Sequence, residues 1–79
     1  MSYQSDPARK AVAITPNDST EIPVTRAIYI GGSGDLVVRL EGDSANVTFY
    51  GVTAGSILPL KAKLVAATST TASNMLALY

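Results

Sequence analysis

Apolar and polar residues alternate in several short runs along the chain, and this period of two predicts β-strands. The clearest run is Leu36–Glu41. Leu36, Val38 and Leu40 are expected to face the core, while Arg39 and Glu41 face outward. Turn-forming segments separate the runs, which favours hairpins connected as a meander. The predicted strands are Lys10–Ile14, Ala27–Gly31, Leu36–Glu41, Asn46–Tyr50, Ser56–Ala66 and Asn74–Tyr79. We therefore expect an all-β fold, a small antiparallel β-sandwich or barrel-like domain of about six strands.

The alternation also predicts which side chains enter the core. Ile28 and Ile30 share one face of the second run, and Val47 and Phe49 share one face of the fourth. Pro59 interrupts the long fifth run and has no N–H to donate, so we expect it in an edge strand, in a bulge, or where the donor would point away from the sheet. One face of that run carries four apolar residues, Leu58, Leu60, Ala62 and Leu64.

The last run differs from the others because both of its faces are apolar. Met75, Ala77 and Tyr79 lie on one face, and Leu76 and Leu78 lie on the other. Such a strand is typical of burial on both sides, and in so small a chain we expect a neighbouring subunit to supply the second cover. The alternative is a short C-terminal helix, because Met, Leu and Ala are good helix formers.

Two segments have no apolar period. Residues 1–9 are polar and contain Pro7, so we predict an extended N-terminal arm followed by a single β domain over residues 10–79. Thr15–Pro23 is dense in turn-forming residues and is predicted to be a surface loop.

The chain of 79 residues contains neither histidine nor cysteine. Imidazole bases, thiolate nucleophiles and the usual zinc sites are therefore excluded. A domain of this size buries only about 60–65% of the surface that its unfolded chain exposes. Because disulfides and zinc cannot add stability here, we expect self-association to do so.

Six basic residues balance six acidic ones, so the net charge is zero. The chain therefore has no long-range attraction to phosphate backbones or anionic lipids, and we expect neither nucleic acid nor a membrane as a partner. No run is long enough to span a bilayer. The polar start of the sequence has no signal-peptide core, so we do not expect Sec export.

The segment Gly31–Gly34 (GGSG) lies between two predicted strands, whereas a phosphate-binding loop precedes a helix. A hairpin turn that needs positive φ is the preferred interpretation.

The acidic residues lack the spacing of a calcium loop. Asp18, Asp35 and Asp43 fall in turns, where Asp commonly bonds to nearby backbone N–H groups. We expect no metal, no cofactor and no catalytic machinery. A surface of exposed tyrosines could instead contact a carbohydrate or a protein, and a carbohydrate- or receptor-binding β module of a phage particle is the alternative function. The tyrosines concerned are Tyr29, Tyr50 and Tyr79.

Four stretches of the chain together resemble the head-spike base family of tailed phages and gene transfer agents. Members of that family carry an ITP-D-T-x-x-P opening, an A-x-Y-x-G-G-x-G-D-L-x-V-x-L centre, a V-T-F strand with a G-x-I-L-P-L run, and a T-A-x-N-x-x-A-L-Y close. The matching stretches are Ile14–Pro23, Ala27–Leu40, Val47–Leu60 and Thr71–Tyr79. They occur in the same order with similar spacing, and none is a catalytic signature.

The resemblance implies a non-enzymatic virion protein that is made in the host cytoplasm and attached to the outer surface of the capsid. It implies a symmetric homo-oligomer that binds the major capsid protein. That oligomer is expected to be either a pentameric head-spike base, carrying a spike or receptor-binding protein, or a trimeric decoration (cement) protein at three-fold positions. The expected capsid or subunit contacts are Tyr3, Arg9, Leu76, Leu78 and Tyr79.

Overall fold

The structure, a computed structural model, describes residues 7–79 and contains seven short strands in that range. The strands form two antiparallel sheets, a four-stranded sheet in the order β1-β7-β2-β5 and a three-stranded sheet in the order β4-β3-β6. The all-β prediction is confirmed, and the alternative of a C-terminal helix is wrong. The strands are β1 (Ala11–Ala13), β2 (Ala27–Tyr29), β3 (Gly34–Leu40), β4 (Val47–Val52), β5 (Ile57–Leu58), β6 (Ala62–Val65) and β7 (Leu76–Leu78).

The inner faces of the two sheets share one apolar core. Ile28 of the four-stranded sheet and Leu36 and Val38 of the three-stranded sheet have no exposed surface, as the alternation predicts. Phe49 packs against this core, but Val47 on the same strand remains 46% exposed because it begins β4, an edge strand. The buried core residues are Ile28, Ile30, Leu36, Val38, Ala62, Val65, Ala72 and Met75.

The predicted meander of hairpins is wrong. Within the described residues only β3 and β4 are both consecutive in the chain and paired with each other. Strand β7 lies between β1 and β2, pairing Ala77 with both Val12 and Ile28. The sandwich is therefore closed by pairing between distant parts of the chain, which alternation along the sequence does not encode.

The glycine-rich segment Gly31–Gly34 does not form a hairpin turn, because it connects β2 in one sheet to β3 in the other. Its glycines serve close packing. A Cβ added at Gly31 would lie 2.5 Å from the carbonyl oxygen of Asn74, and one at Gly34 would lie 2.6 Å from the backbone nitrogen of Ala72. The chain before β7 therefore crosses directly over this segment.

The long fifth run is divided into two strands at Pro59. The N–H of Leu60 donates to the carbonyl of Leu58 at 2.8 Å, which closes a γ-turn around the proline. The pyrrolidine ring already holds φ near the value that an inverse γ-turn requires. Pro59 thus moves the chain from one sheet to the other, and this is why seven strands form rather than six.

A β-bulge in β6 reverses the predicted direction of Leu64. Arg39 pairs with Leu64, but Leu40 pairs with Ala62, so Lys63 is the extra residue. One inserted residue shifts the alternation to the opposite face. Ala62 therefore enters the main core, while Leu64 packs on the other face of the sheet in a second cluster with Val37 and Ala66.

The predicted loop Thr15–Pro23 contains no strand, as expected, yet it covers the outer edge of β6. The N–H groups of Asn17 and Ile22 donate to the carbonyls of Val65 and Lys63 at 2.8 Å each. These bonds satisfy carbonyls at an edge that would otherwise face solvent.

Candidate interaction surface

The outer face of the four-stranded sheet carries no charged side chain at its paired positions. The strand register places Ile57, Tyr29, Leu76 and Ala13 in one row across the sheet. A second row contains Ala27, Leu78 and Ala11. An antiparallel sheet with one solvated face usually alternates apolar residues inside with polar residues outside. The apolar outer face is therefore suited to being covered by another molecule.

This surface is partly exposed within the described chain. Ile57 is 60% exposed, Leu76 and Leu78 are half-buried, and Ala11 and Ala13 are exposed. The neighbouring positions Ile28 and Ala77 point to the core and are buried. The two faces of the final strand thus differ in burial, and cover of its outer face by a neighbouring subunit stays a prediction.

A groove runs along one end of this face and combines an apolar floor with basic side chains; we call it the basic groove. It consists of two adjoining depressions, of about 350 Å³ and about 970 Å³, which share Arg26 and Tyr79. Its basic residues are Arg9, Lys10, Arg26 and Lys61. Its apolar lining includes Val24, Ala27, Ile57, Pro59 and Leu78.

The start of the domain and its final residues meet at the basic groove. The N–H of Arg9 donates to the carbonyl of Tyr79 at 2.6 Å, and the N–H of Tyr79 donates to the carbonyl of Lys10 at 2.8 Å. The Tyr79 hydroxyl donates to the carbonyl of Pro23 at 3.2 Å. Within residues 7–79, the first residue to join this backbone pairing is Arg9, the last residue of the predicted arm.

The residues predicted as contacts converge on this part of the molecule. Arg9, Leu78 and Tyr79 line the basic groove, and Leu76 lies in the other row of the same outer face. Tyr3 falls outside the described residues. Sequence reasoning did not select Ile57. Since Ile57 immediately precedes Leu58, which was expected to face the core, the alternation does imply that Ile57 points outward. Sequence reasoning also did not select Lys10 and Arg26, the basic residues that line the groove together with Arg9. Their positions in the groove depend on the pairing of β1, β2 and β7.

The three tyrosines do not form a single surface. Tyr29 lies among the apolar residues of the outer face, and Tyr79 lines the basic groove. Tyr50 lies in the other sheet and is 80% exposed. Tyr50 adjoins a bulge in which Gly51 has φ of 66° and donates its N–H to the Asp35 carboxylate at 3.0 Å.

The turn aspartates bind backbone groups, some of them far away in sequence. Asp43 accepts the N–H of Leu40 at 3.3 Å, which is the predicted local bond. Asp18 instead accepts the N–H groups of Ala67 and Thr68, each at 2.9 Å, together with the Thr68 hydroxyl at 2.6 Å. These bonds stabilise the carboxylate and lower the pKa of Asp18, with the Thr68 side chain as the largest cause.

Within residues 7–79, no group of three or more acidic side chains is arranged to hold a metal ion. None of the described residues belongs to a helix with the length and apolar character needed to cross a bilayer.

No protein-family model matches the chain, and no curated protein matches it. Among solved structures, a chain described as "Capsid of native GTA particle computed with C5 symmetry" is 36% identical and superposes with a TM-score of 0.86. The alignment covers 100% of this chain and 92% of that one. The chain therefore belongs to the same family as this chain from the capsid of a gene transfer agent (GTA).

Proposed function

We propose that the protein is a non-enzymatic structural protein of a phage-like virion, associated with its capsid. The observation that carries the proposal is the identity of 36% to a chain of a GTA capsid over the whole length. The uncharged outer face of the four-stranded sheet supports it, because such a face is stabilised by contact with another protein.

The finer proposal is a symmetric homo-oligomer that binds the major capsid protein on the outer surface of the particle. Within residues 7–79, β1 and β4 lie at the ends of their sheets and have no further strand beside them. Backbone groups on open edges can pair with another copy, which would extend each sheet between subunits. Attachments repeated over one shell reinforce each other through their high effective concentration.

Two capsid positions remain as the specific alternatives within this proposal. A pentamer at a vertex would act as a head-spike base and carry a spike or receptor-binding protein. A trimer at a three-fold position would act as a decoration or cement protein. In both cases the adhesive contacts are expected to include the outer face residues Leu76 and Leu78 and the groove residues Arg9 and Tyr79.

The test is reconstitution on particles assembled without this protein. Purified full-length protein is added to such particles, unbound protein is removed by sedimentation, and the particles are imaged by electron cryomicroscopy. Density for the β-sandwich on the outer capsid surface at five-fold or three-fold axes is the expected result. Failure to sediment with the particles, or density only inside the shell, would contradict the proposal.

Residues 1–10 are proposed to assist this attachment. Pro7 and Ala8 line the basic groove, so the chain enters the domain at the proposed contact surface. Deleting residues 2–6 preserves the backbone bonds between Arg9, Lys10 and Tyr79. We expect this deletion to leave the free energy of unfolding unchanged and to reduce occupancy on particles. A variant with residues 2–6 in scrambled order is the control for length, and equal occupancy of the deletion variant and the wild type would contradict the role of the arm.

A further inference from the structure

Four strands lie at the ends of the two sheets, and the chain protects two of these edges. The loop Thr15–Pro23 covers β6, and β5 has only two residues and is followed directly by Pro59. Covering loops, short strands and proline are usual means of blocking pairing between sheet edges. By contrast, β1 and β4 contain no charged residue and no proline, and backbone bonds of Lys10 and Ile14 lengthen the β1 ladder at both ends. Within residues 7–79, these two edges are therefore open to pairing.

The hydrogen bonds of β1 determine which of its backbone groups face the open edge. The N–H of Tyr79 donates to the carbonyl of Lys10 at 2.8 Å, so Lys10 bonds toward β7 and its flanking residues. Alternate residues of an antiparallel strand bond to the same neighbour, so Val12 also bonds toward β7. The N–H and carbonyl groups of Ala11 and Ala13 therefore point away from β7, toward the open edge.

The same pattern identifies the free groups of β4. The N–H of Ala66 donates to the carbonyl of Val37 at 2.9 Å, so Val37 of the central strand β3 bonds toward β6. Its neighbour Val38 consequently bonds toward β4, where it is paired with Val47. The N–H and carbonyl groups of Thr48, the next residue of β4, then point to the open edge. A β-bulge confines the regular part of this edge to the first three residues of the strand.

Each open edge exposes a valine that belongs to the inner face of its sheet. Val12 is paired with the buried Ala77, and Val47 is paired with the buried Val38. Directly paired residues place their side chains on the same face, so both valines point to the side of the core. Val12 is nevertheless 41% exposed and Val47 46% exposed, because no further strand within residues 7–79 lies beside them. An additional strand at either edge would cover the valine and continue the core.

We propose that β1 of one copy pairs in an antiparallel ladder with β4 of the next copy, with Val12 opposite Val47. This inference rests on the homo-oligomer of the proposed function, and it identifies the interface. In this register Ala11 and Thr48 exchange two backbone hydrogen bonds through the groups that face the open edges. The two valines form a non-hydrogen-bonded pair, in which side chains approach most closely. Each valine then covers the other on the inner face of a sheet that is continuous between copies.

The occupant of each edge is a second copy because one contact then uses both open edges. Pairing of β1 with β1 would leave every β4 edge open, and pairing of β4 with β4 would leave every β1 edge open. A contact between unlike surfaces repeats from copy to copy, and it forms a closed ring when the rotation between neighbours closes. This arrangement gives a cyclic oligomer without any open edge in the described part of the chain.

Disulfide trapping tests the register, because the full-length chain contains no cysteine of its own. The double variant Val12→Cys/Val47→Cys places one thiol on each side of the proposed contact, at a spacing that a disulfide can bridge. Its matched control is Val24→Cys/Val47→Cys, since Val24 is 40% exposed and lies outside β1 and β4. On oxidation, non-reducing electrophoresis is expected to show covalent multimers of the first variant, formed at least about tenfold faster than those of the control. Val12→Cys alone and Val47→Cys alone are expected to remain monomeric on the gel.

A backbone substitution tests the hydrogen bonds. Thr48→Pro removes the N–H that faces the open edge, at a position where an edge strand accepts proline. Thr48→Val keeps this N–H and is the matched control. In sedimentation velocity at one protein concentration, Thr48→Pro is expected to raise the dissociation constant of the oligomer by about tenfold or more, and Thr48→Val to change it by less than about twofold. Circular dichroism checks that each variant is folded, and the disulfide experiment stands by itself if Thr48→Pro does not fold.

Three results would overturn the inference. If the wild type is an oligomer but the double variant forms no more covalent multimer than its control, the interface lies elsewhere. If Val12→Cys alone or Val47→Cys alone forms a disulfide-linked dimer, like edges pair and the head-to-tail arrangement is wrong. If the wild type is a monomer in solution and the double variant is not crosslinked on particles either, no such contact between copies exists.

Sedimentation of the wild type with particles assembled without it distinguishes these failures from failure of the proposed function. Binding to particles together with any of the three results would leave the capsid association standing and remove only the interface. Covalent multimers of the double variant together with no binding to particles would support the interface and contradict the capsid function.

Discussion

Thr25 and Ala62 exchange two hydrogen bonds across the two halves of the chain. The N–H of Thr25 donates to the carbonyl of Ala62 at 3.1 Å, and the N–H of Ala62 donates to the Thr25 hydroxyl at 3.0 Å. The same hydroxyl donates to the carbonyl of Leu60 at 2.7 Å. Thr25 is 1% exposed, and it is the one buried polar residue among those described. Its hydroxyl therefore fixes the point where the chain leaves the γ-turn at Pro59 and begins β6.

Replacing Thr25 by valine should destabilise the protein by about 1–3 kcal/mol, because the shape is kept while the Ala62 N–H and the Leu60 carbonyl lose their partner. Thr25→Ser is the control, since it retains the hydroxyl and removes only a methyl group. Urea unfolding followed by circular dichroism, at one fixed protein concentration, measures both variants. If Thr25→Val and Thr25→Ser lowered the free energy of unfolding equally, packing and not the hydroxyl would be the main contribution of this residue.

Glycine is required at position 31 but not at position 42. A Cβ at Gly31 would approach the Asn74 carbonyl oxygen to 2.5 Å, whereas one at Gly42 would meet nothing within 4 Å. We expect Gly31→Ala to lower the free energy of unfolding by about 1–3 kcal/mol, because backbone has to move to admit the methyl group. Gly42→Ala should change it by less than about 1 kcal/mol. Thermal unfolding of the two variants provides the comparison, and a Gly31→Ala protein as stable as the wild type would refute the close packing of this crossing.

The bonds to Asp18 should make the stability sensitive to acid. The pKa of Asp18 is lower in the folded protein than its ordinary value. The ionised carboxylate therefore adds its full contribution to the free energy of unfolding when the pH is above that ordinary pKa. The contribution is lost as the pH falls through the lowered pKa. The free energy of unfolding of the wild type should therefore decrease more steeply on acidification than that of Asp18→Asn.

Thr68→Val tests the cause of this effect. It removes the hydroxyl that contributes most to the shift, so the pKa of Asp18 should rise toward its ordinary value in an NMR titration of the carboxyl group. Thr53→Val, at an exposed threonine far along the chain from Asp18, is the control and should leave that titration unchanged. An unaltered Asp18 titration in Thr68→Val would contradict the assignment.

Local alternation was sufficient to predict most strands and the core positions of β2 and β3, because each of those side chains follows the regular period of two. It failed where a single residue breaks that period. Lys63 adds a bulge that turns Leu64 to the opposite face, and Pro59 divides one run between two sheets. The bulge at Lys63 leaves the apolar pattern unchanged and could not be predicted from it, whereas Pro59 marked an irregularity in the run without indicating that the run crosses from one sheet to the other.

The candidate surface was predictable in part for the same reason. Leu76 and Leu78 stand out because both faces of their strand are apolar, and this follows from the sequence alone. The basic groove could not be predicted, because Lys10, Arg26 and Lys61 are distant in the sequence and come to line two adjoining depressions only through sheet pairing. Which distant strands pair, and in which register, depends on all the strands together and not on the pattern of any one segment.

The central position of β7 has a consequence for biosynthesis. Since β7 follows every other strand in the sequence and lies between β1 and β2, the four-stranded sheet cannot close while the ribosome is still translating the preceding strands. Until then, β1 and β2 each leave an unpaired backbone edge accessible to other nascent chains. Folding is thus expected to be a late and comparatively slow event, governed by non-local contacts, and overproduction of the protein in a host cell should favour aggregation of incomplete chains over that of the finished protein.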